Sequence, residues 1–275
     1  MVRHSGATQK NEAVQDWSAE FGGRDNISFF QAALDALAQG RPQGVPVVAI
    51  GLVGQRDLPG VMLRRAQSSL RWDLRPSLWS HAFMIAPPDG AGGPVEDLEV
   101  SEVTLYSRAG RFPEPGDNAV TRANLEMYRN PLLDANAALL GVSMTAEEAQ
   151  RVADRANWNF NLDRLRYNLW EMLGAWQSYF WQRGIRDNPL IEGIPMFSSA
   201  FVEYCFEAIQ LDMAPGASER NSAPEHLWNG AVWWWDAFAA FGHPISGYAV
   251  IRDPGCSQLG RDDQVTSSAG SPEPA

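Results

Sequence analysis

Three residues of the chain have side chains that could together cleave or transfer an acyl group. His81 follows Ser80 in a predicted strand, Glu102 lies in the next predicted strand, and Ser198 begins a predicted helix after the loop GIPMF. A nucleophile at a helix N-terminus gains from the positive end of the helix dipole, and free backbone N–H groups there can stabilise an oxyanion. A histidine can serve as general base, and a carboxylate can orient its imidazole. The set therefore predicts a Ser198-His81-Glu102 triad, although N-capping alone would also explain Ser198.

The elements that must position this triad begin with a helix and three strands. Apolar residues recur at helical spacing over residues 26 to 39, after Asp25 and Asn26, either of which could cap the helix. The β-branched run VPVVAIGLV at 45–53 predicts a buried strand. The segments WSHAFMI and EVSEVTLY predict two more strands, near 79–86 and 98–106. We expect a small, mostly antiparallel sheet in an α+β domain.

The second half of the chain is predominantly helical in pattern. Two helices are predicted within 145–183, where Thr145 and Glu148 have the spacing of a capping box. A core-facing helix is predicted over 198–211, and another helix over 224–241. Residues 1–254 are expected to form a single domain with a helical insert at about 107–190, and the polar residues 255–275 a disordered tail.

Two segments carry a resemblance to a known family. SLWSHAFMI resembles the strand with the Ser-His pair in circularly permuted papain-like proteins of the NlpC/P60 group, which includes YiiX-like enzymes and is related to the lecithin:retinol acyltransferase group. MFSSAFVEYCFEA is similar to the nucleophile helix of that group, and IGLVGQRDLPGVMLRRAQ to the strand and helix before the histidine. The resemblance spans roughly residues 45–235, and the order histidine strand, acidic strand, nucleophile helix is that of the group.

The resemblance implies a permuted papain-like fold and a hydrolase or acyltransferase that acts on an amide or ester bond. Peptidoglycan stem peptides and acyl lipids are the two substrate classes it implies. It assigns Ser198 as nucleophile, His81 as base and Glu102 as the orienting residue. The residues expected at the oxyanion site or substrate groove are Ser199, Ser80, Trp79 and Tyr167.

One position departs from the family pattern. The group has cysteine where this chain has Ser198, and a serine hydroxyl is much harder to ionise than a thiol with a pKa of about 8.5. Three interpretations stay open: a serine enzyme that depends on His81, a catalytically silent binding protein with a papain-like groove, or a deliberate replacement of the nucleophile. A secreted antibacterial toxin with the same chemistry is a further alternative, which would add an immunity protein as partner.

The other potentially reactive side chains favour structural interpretations. Cys205 is expected in the core, Cys256 at the surface, and His226 and His243 are weaker candidates for a base. No pair of histidines has the short spacing of common zinc motifs, and the glycines at 90–93 lack the lysine of a phosphate loop. We therefore expect neither a metal nor another cofactor.

The composition of the chain limits the classes of binding partner and the cellular compartment that we expect. A net charge of −11 disfavours nucleic acid and nonspecific binding to anionic membranes. The sequence shows neither a signal-peptide core nor an apolar stretch long enough to span a bilayer, which predicts synthesis in the cytoplasm, with signal-independent export left open.

Overall fold

The computed structural model describes residues 14–40, 44–85, 93–103, 120–160, 169–186, 197–239 and 245–256. In chain order the elements are β1 (Val14–Asp16), α1 (Ser18–Phe21), α2 (Asn26–Gly40), β2 (Val47–Gln55), α3 (Leu58–Ala66), β3 (His81–Ile85), β4 (Glu99–Val103), β5 (Val120–Asn124), β6 (Asp134–Ser143), α4 (Ala146–Phe160), α5 (Leu169–Phe180), α6 (Ser198–Phe206), α7 (Pro224–Ala239) and β7 (Ile245–Val250). Short 3₁₀ turns lie at Gln67–Leu70 and Leu125–Tyr128.

The strands form one seven-stranded sheet in the order β1-β7-β6-β2-β3-β4-β5. β1 runs parallel to β7, and every other neighbouring pair is antiparallel. The protein is therefore α+β with a mostly antiparallel sheet, as predicted. The sheet is larger than the three strands expected, although those three are confirmed as β2, β3 and β4.

Helices cover both faces of the sheet, and the side chains of β3 alternate between two apolar cores, one on each face. Phe83 and Ile85 pack with α1 and α2 in one apolar core. Ala82 and Met84 pack with α4, α6 and α7 in the other. Since successive residues of a strand point to opposite faces, the two cores need no break in β3.

The predicted helix starts are confirmed. The Asp25 carboxylate accepts the Ser28 N–H at 2.8 Å and so caps α2. Thr145 and Glu148 form the capping box before α4: the Glu148 carboxylate accepts the Thr145 N–H at 2.8 Å, and the Thr145 hydroxyl accepts the Glu148 N–H at 3.2 Å.

The segment expected as a helical insert contributes strands as well as helices. β5 adds an edge strand beside β4, and β6 lies in the middle of the sheet between β2 and β7. All residues of β6 except Ser143 are buried. The segment at about 107–190, expected as a helical insert, therefore also supplies two strands of the sheet, β5 and β6.

Both cysteines are buried. Cys205 on α6 has no exposed surface, which confirms its expected place in the core. Cys256 is 1% exposed, and its Sγ lies 3.8 Å from the Val61 carbonyl oxygen. The expectation of a surface thiol is wrong, because the chain just before it is tied down: the buried Arg64 contacts Asp253 at 3.1 Å. Of the expected tail, residues 257–275 lie outside the described residues.

No helix in the described part of the chain combines the length and the apolar character that a membrane crossing requires.

Candidate active site

His81 and Glu102 are in direct contact at one end of β3. Glu102 on β4 lies opposite Phe83, so its side chain shares a face of the sheet with those of Phe83 and His81. The His81 Nε2 is 2.6 Å from the Glu102 Oε2, and the two side chains are 11% and 3% exposed. An ionised carboxylate only accepts hydrogen bonds, so Nε2 carries the hydrogen in the neutral imidazole. Nδ1 is then the nitrogen left to take a proton.

A third residue, Tyr128, completes this cluster and was missed by the sequence interpretation. Its hydroxyl donates to the same Glu102 Oε2 that His81 contacts. Its ring stacks on Phe83 with centroids 4.1 Å apart and lies 6.1 Å from the His81 ring. Tyr128 belongs to a 3₁₀ turn 26 residues after Glu102, and no local pattern in the sequence connects the two.

Ser198 is the first residue of α6, and its hydroxyl does not cap the helix. The N-cap is Phe197, which makes no side-chain capping bond. The Ser198 Oγ accepts the backbone N–H of Ala82 at 3.3 Å, and the residue is 8% exposed. Since Ala82 directly follows His81, the hydroxyl lies beside the backbone of the residue that carries the imidazole. N-capping therefore does not account for this serine.

The start of α6 also supplies hydrogen-bond donors. The first N–H groups of an α-helix have no acceptor within the helix. In α6 the first bond of this kind joins the Phe201 N–H to the Phe197 carbonyl oxygen. The N–H groups of Ser198 and Ser199 therefore precede the hydrogen-bonded part of the helix, next to the Ser198 hydroxyl.

The imidazole and the hydroxyl approach β3 from different sides. The His81 ring lies with Phe83 and Tyr128 on the face covered by α2, whereas α6 packs with Ala82 on the other face. In the described part of the chain, the Ser198 hydroxyl bonds to Ala82 and His81 bonds to Glu102, with no hydrogen bond between Ser198 and His81. Proton transfer requires about 2.6–3.2 Å between heavy atoms, a distance that catalytic pairs often reach only with substrate bound.

The remaining predicted site residues have structural contacts. The Ser80 hydroxyl accepts the Gln55 N–H at 2.9 Å, and the Ser199 hydroxyl donates to the Ser222 carbonyl oxygen at 2.9 Å. Trp79 is fully buried, with its ring 4.8 Å from that of Trp228, so it belongs to the core and not to an open groove. Tyr167 lies outside the described residues.

The alternative bases and a metal site gain no support. The His226 Nδ1 accepts the Ala223 N–H at 3.1 Å at the start of α7, and burial lowers the pKa of His226 to about 4. His243 lies outside the described residues. Within the described ranges, no group of three or more histidine, cysteine, aspartate or glutamate side chains is placed to hold a metal ion.

The chain was compared with protein-family models, with curated proteins and with solved structures. None of them matches. The resemblance to permuted papain-like proteins therefore stays a prediction, and the candidate site depends on its own geometry.

Proposed function

We propose that the protein is a hydrolase or acyltransferase that forms a covalent acyl-enzyme on Ser198, on a fold of the permuted papain-like type. The observation that carries the proposal is the hydrogen-bonded pair His81–Glu102 at the end of β3. At the same place, the N-terminus of α6 brings the Ser198 hydroxyl to the backbone N–H of Ala82, the residue after His81. A nucleophile, a base and a residue that orients the base then lie on three adjoining elements.

In the proposed reaction the Ser198 Oγ attacks the carbonyl carbon of an amide or ester. Substrate binding must first bring the His81 Nδ1, which lies on the other side of β3, to within about 2.6–3.2 Å of the Ser198 hydroxyl or join the two through one water. The hydroxyl proton then moves to Nδ1, while Glu102 holds Nε2 and stabilises the imidazolium. The backbone N–H groups of Ser198 and Ser199 stabilise the negative charge on the carbonyl oxygen. His81 then protonates the leaving amine or alcohol, and water or a second acceptor releases the acyl group from Ser198.

Serine places a larger demand on this base than cysteine would. A thiolate forms readily near neutral pH, whereas a serine hydroxyl must give up its proton as it attacks. Turnover by the unaltered chain therefore depends fully on His81, and Ser198→Cys should turn over the same substrate faster. Peptidoglycan stem peptides and acyl lipids are both proposed as substrate classes.

The proposal is tested by hydrolysis assays on purified peptidoglycan and on a phospholipid panel. The proteins compared are the unaltered chain, Ser198→Cys, and Ser198→Cys combined with His81→Ala. Removal of His81 should lower turnover by at least about 100-fold, as expected for a general base. His226→Gln is the matched control and should retain turnover, because His226 bonds only to the start of its own helix among the described residues.

A noncatalytic binding module is the second candidate. It is favoured by the hydrogen bond that the Ser198 hydroxyl oxygen accepts from the Ala82 N–H, because the hydroxyl has this partner and not His81. A module of this kind would bind one of the substrates tightly without turnover in any of the variants. Folded proteins with that behaviour would contradict the hydrolase proposal.

A further inference from the structure

The loop that follows the 3₁₀ turn Gln67–Leu70 presents two large apolar side chains to solvent. Trp72 is 95% exposed and Leu74 is 71% exposed. Tryptophan buries a large area when it packs, so a fully displayed indole ring is unusual for a residue with only a structural role.

The loop backbone is held in place by its charged residues. The Arg71 guanidinium contacts both carboxylate oxygens of Asp73, at 2.9 and 2.8 Å, and reaches Glu225 on α7 at 3.3 Å. Arg71 and Asp73 are directed toward the protein, which leaves Trp72 and Leu74 outside. Leu74 also has a φ of 55°, a left-handed conformation that leucine rarely adopts and that an anchored loop can impose.

The end of α5 continues this surface. Ser69 accepts a hydrogen bond from Gln182 at 2.6 Å and donates one to the Tyr179 carbonyl oxygen at 2.7 Å, so the two segments lie side by side. Three exposed apolar residues, Phe180, Trp181 and Ile185, lie in or near this segment. We call the five residues together the apolar edge: Trp72, Leu74, Phe180, Trp181 and Ile185.

The apolar edge is locally basic on an acidic protein. Residues 64–76 contain four arginines and one acidic residue, and residues 176–186 contain two arginines and no acidic residue, although the chain as a whole carries a net charge of −11. Two of these arginines are paired with carboxylates: Arg64 is buried against Asp253, and Arg71 contacts Asp73 and Glu225. The positive charge at the surface therefore comes from the other arginines. Arg65, Arg75 and Arg186 are exposed. The Arg183 guanidinium lies 5.5 Å from the centre of the Trp181 ring.

This combination is complementary to an anionic phospholipid surface. Tryptophan favours the headgroup level of a bilayer, apolar side chains enter the acyl region, and each nearby arginine is attracted to anionic lipids. Trp72, the most exposed residue of the edge, and Leu74 stand on the loop that the contacts of Arg71 and Asp73 hold in place, with both side chains exposed to solvent. We propose that the apolar edge docks the protein on anionic phospholipid bilayers, with Trp72 and Leu74 inserted at the interface.

The candidate active site lies close to this edge. The Tyr179 hydroxyl, one residue before Phe180, and the Ser199 hydroxyl both donate to the Ser222 carbonyl oxygen at 2.9 Å. The end of α5 and the start of α6 therefore meet at Ser222. Docking needs no turnover, so Ser198→Ala should bind vesicles as the unaltered chain does, whatever the outcome of the hydrolase assays.

The test is flotation of the full chain with phosphatidylglycerol/phosphatidylcholine vesicles and with pure phosphatidylcholine vesicles. We expect binding to the anionic vesicles to exceed binding to the neutral ones by at least tenfold and to weaken with added salt. Trp72→Ala combined with Leu74→Ser should reduce it by at least tenfold, and Arg75→Gln by a smaller factor. Trp233→Ala is the matched control, because Trp233 is 59% exposed on α7, outside the apolar edge, and should leave binding unchanged.

Several results would overturn the proposal. One is equal flotation with neutral and anionic vesicles, and another is anionic binding that survives the double substitution at 72 and 74. A third is absence of vesicle binding together with self-association that the double substitution abolishes, which would assign the edge to contact between copies of the chain.

Discussion

The Oε2 of Glu102 accepts hydrogen bonds from two side chains at once, His81 and Tyr128. A carboxylate held by two donors has less freedom to rotate, so the imidazole that it contacts is also fixed in direction. Tyr128 is fully buried and its ring packs on Phe83, which limits its own movement. We infer that Tyr128 is a positioning residue that acts on His81 through Glu102.

Tyr128→Phe keeps the ring and removes the hydroxyl. If Ser198 turns over substrate, kcat should fall about tenfold with KM nearly unchanged, because a lost hydrogen bond to a charged group is worth about 1.5–3 kcal/mol and part of it is recovered by relaxation. The NMR signal of the His81 Nε2 proton should also move upfield as its contact with Glu102 loosens.

Phe83→Leu is the control for Tyr128→Phe, since it removes the stacked ring and leaves the hydroxyl. It should lower the free energy of unfolding and move the His81 proton signal less than Tyr128→Phe does, because the hydrogen bond of the Tyr128 hydroxyl to Glu102 is retained. If both variants lost the same amount of kcat and Tyr128→Phe left the His81 proton signal unchanged, Tyr128 would have only a packing role.

Among the elements, β2 and β3 pack closely where Gly51 lies opposite Phe83. A Cβ added at Gly51 of β2 would lie 2.1 Å from the Phe83 ring, and Phe83 is itself confined by the stacked ring of Tyr128. Glycine at this position is therefore a packing requirement, because any side chain would displace the ring that supports Tyr128.

Gly51→Ala should lower the free energy of unfolding by about 1–3 kcal/mol, the usual cost of overpacking a core. Urea denaturation measures the change. Gly141→Ala on β6 is the matched control: its added Cβ would meet the movable end of the Leu37 side chain at 2.6 Å, so the loss should be smaller. Equal losses from the two substitutions would show that the Phe83 contact carries no special cost.

Local patterns in the sequence were sufficient to predict some elements and insufficient for others. The caps and spacing of α2 and α4 are encoded within a few residues, and the β-branched run of β2 is equally local. β6 was missed because its sequence, DANAALLGVS, is rich in alanine and leucine, which favour helices in isolation. Its place between β2 and β7 is imposed by tertiary packing.

The same distinction holds for the site. His81, Glu102 and Ser198 could be selected because each lies next to a recognisable strand or helix start. Tyr128 could not, because its contact with Glu102 depends on how a 3₁₀ turn folds back over the sheet. Likewise, the exposed arginines near the apolar edge are outnumbered by acidic residues in the whole chain, which has a net charge of −11, and only the fold places those arginines beside the apolar edge.

At the scale of the whole molecule, pH should act on stability through a buried carboxyl that is not part of the triad. Glu203 on α6 is 4% exposed. Its Oε1 accepts hydrogen bonds from the backbone N–H groups of Met213 and Ala214, at 2.8 and 3.0 Å. Its Oε2 has no hydrogen-bond partner in the described part of the chain. Burial, with the neighbouring Asp212, raises the pKa of Glu203 from 4.5 to about 9. The folded protein therefore holds this proton near neutral pH, whereas the unfolded chain has released it.

Stability should accordingly fall as the pH rises from 7 to 9, because the unfolded state binds fewer protons than the folded state in this range. His226, with its pKa lowered to about 4 by burial, acts on the other side: it destabilises the fold as the pH falls below 6.5 and has no effect above 7. For Glu203, the free energy of unfolding should fall by roughly 2 kcal/mol between pH 7 and pH 9.

Chemical denaturation at pH 7 and pH 9 measures the effect of Glu203, and Glu203→Gln supplies the comparison. Glutamine resembles the protonated carboxyl in shape and can still accept the two backbone N–H groups, so the variant should fold and lose less stability between pH 7 and 9. Glu147→Gln, at an exposed position of α4, should follow the unaltered chain. If Glu203→Gln lost as much stability as the unaltered chain over this interval, Glu203 would not hold a proton in the folded state, and its carboxylate would instead be stabilised by the N–H groups of Met213 and Ala214.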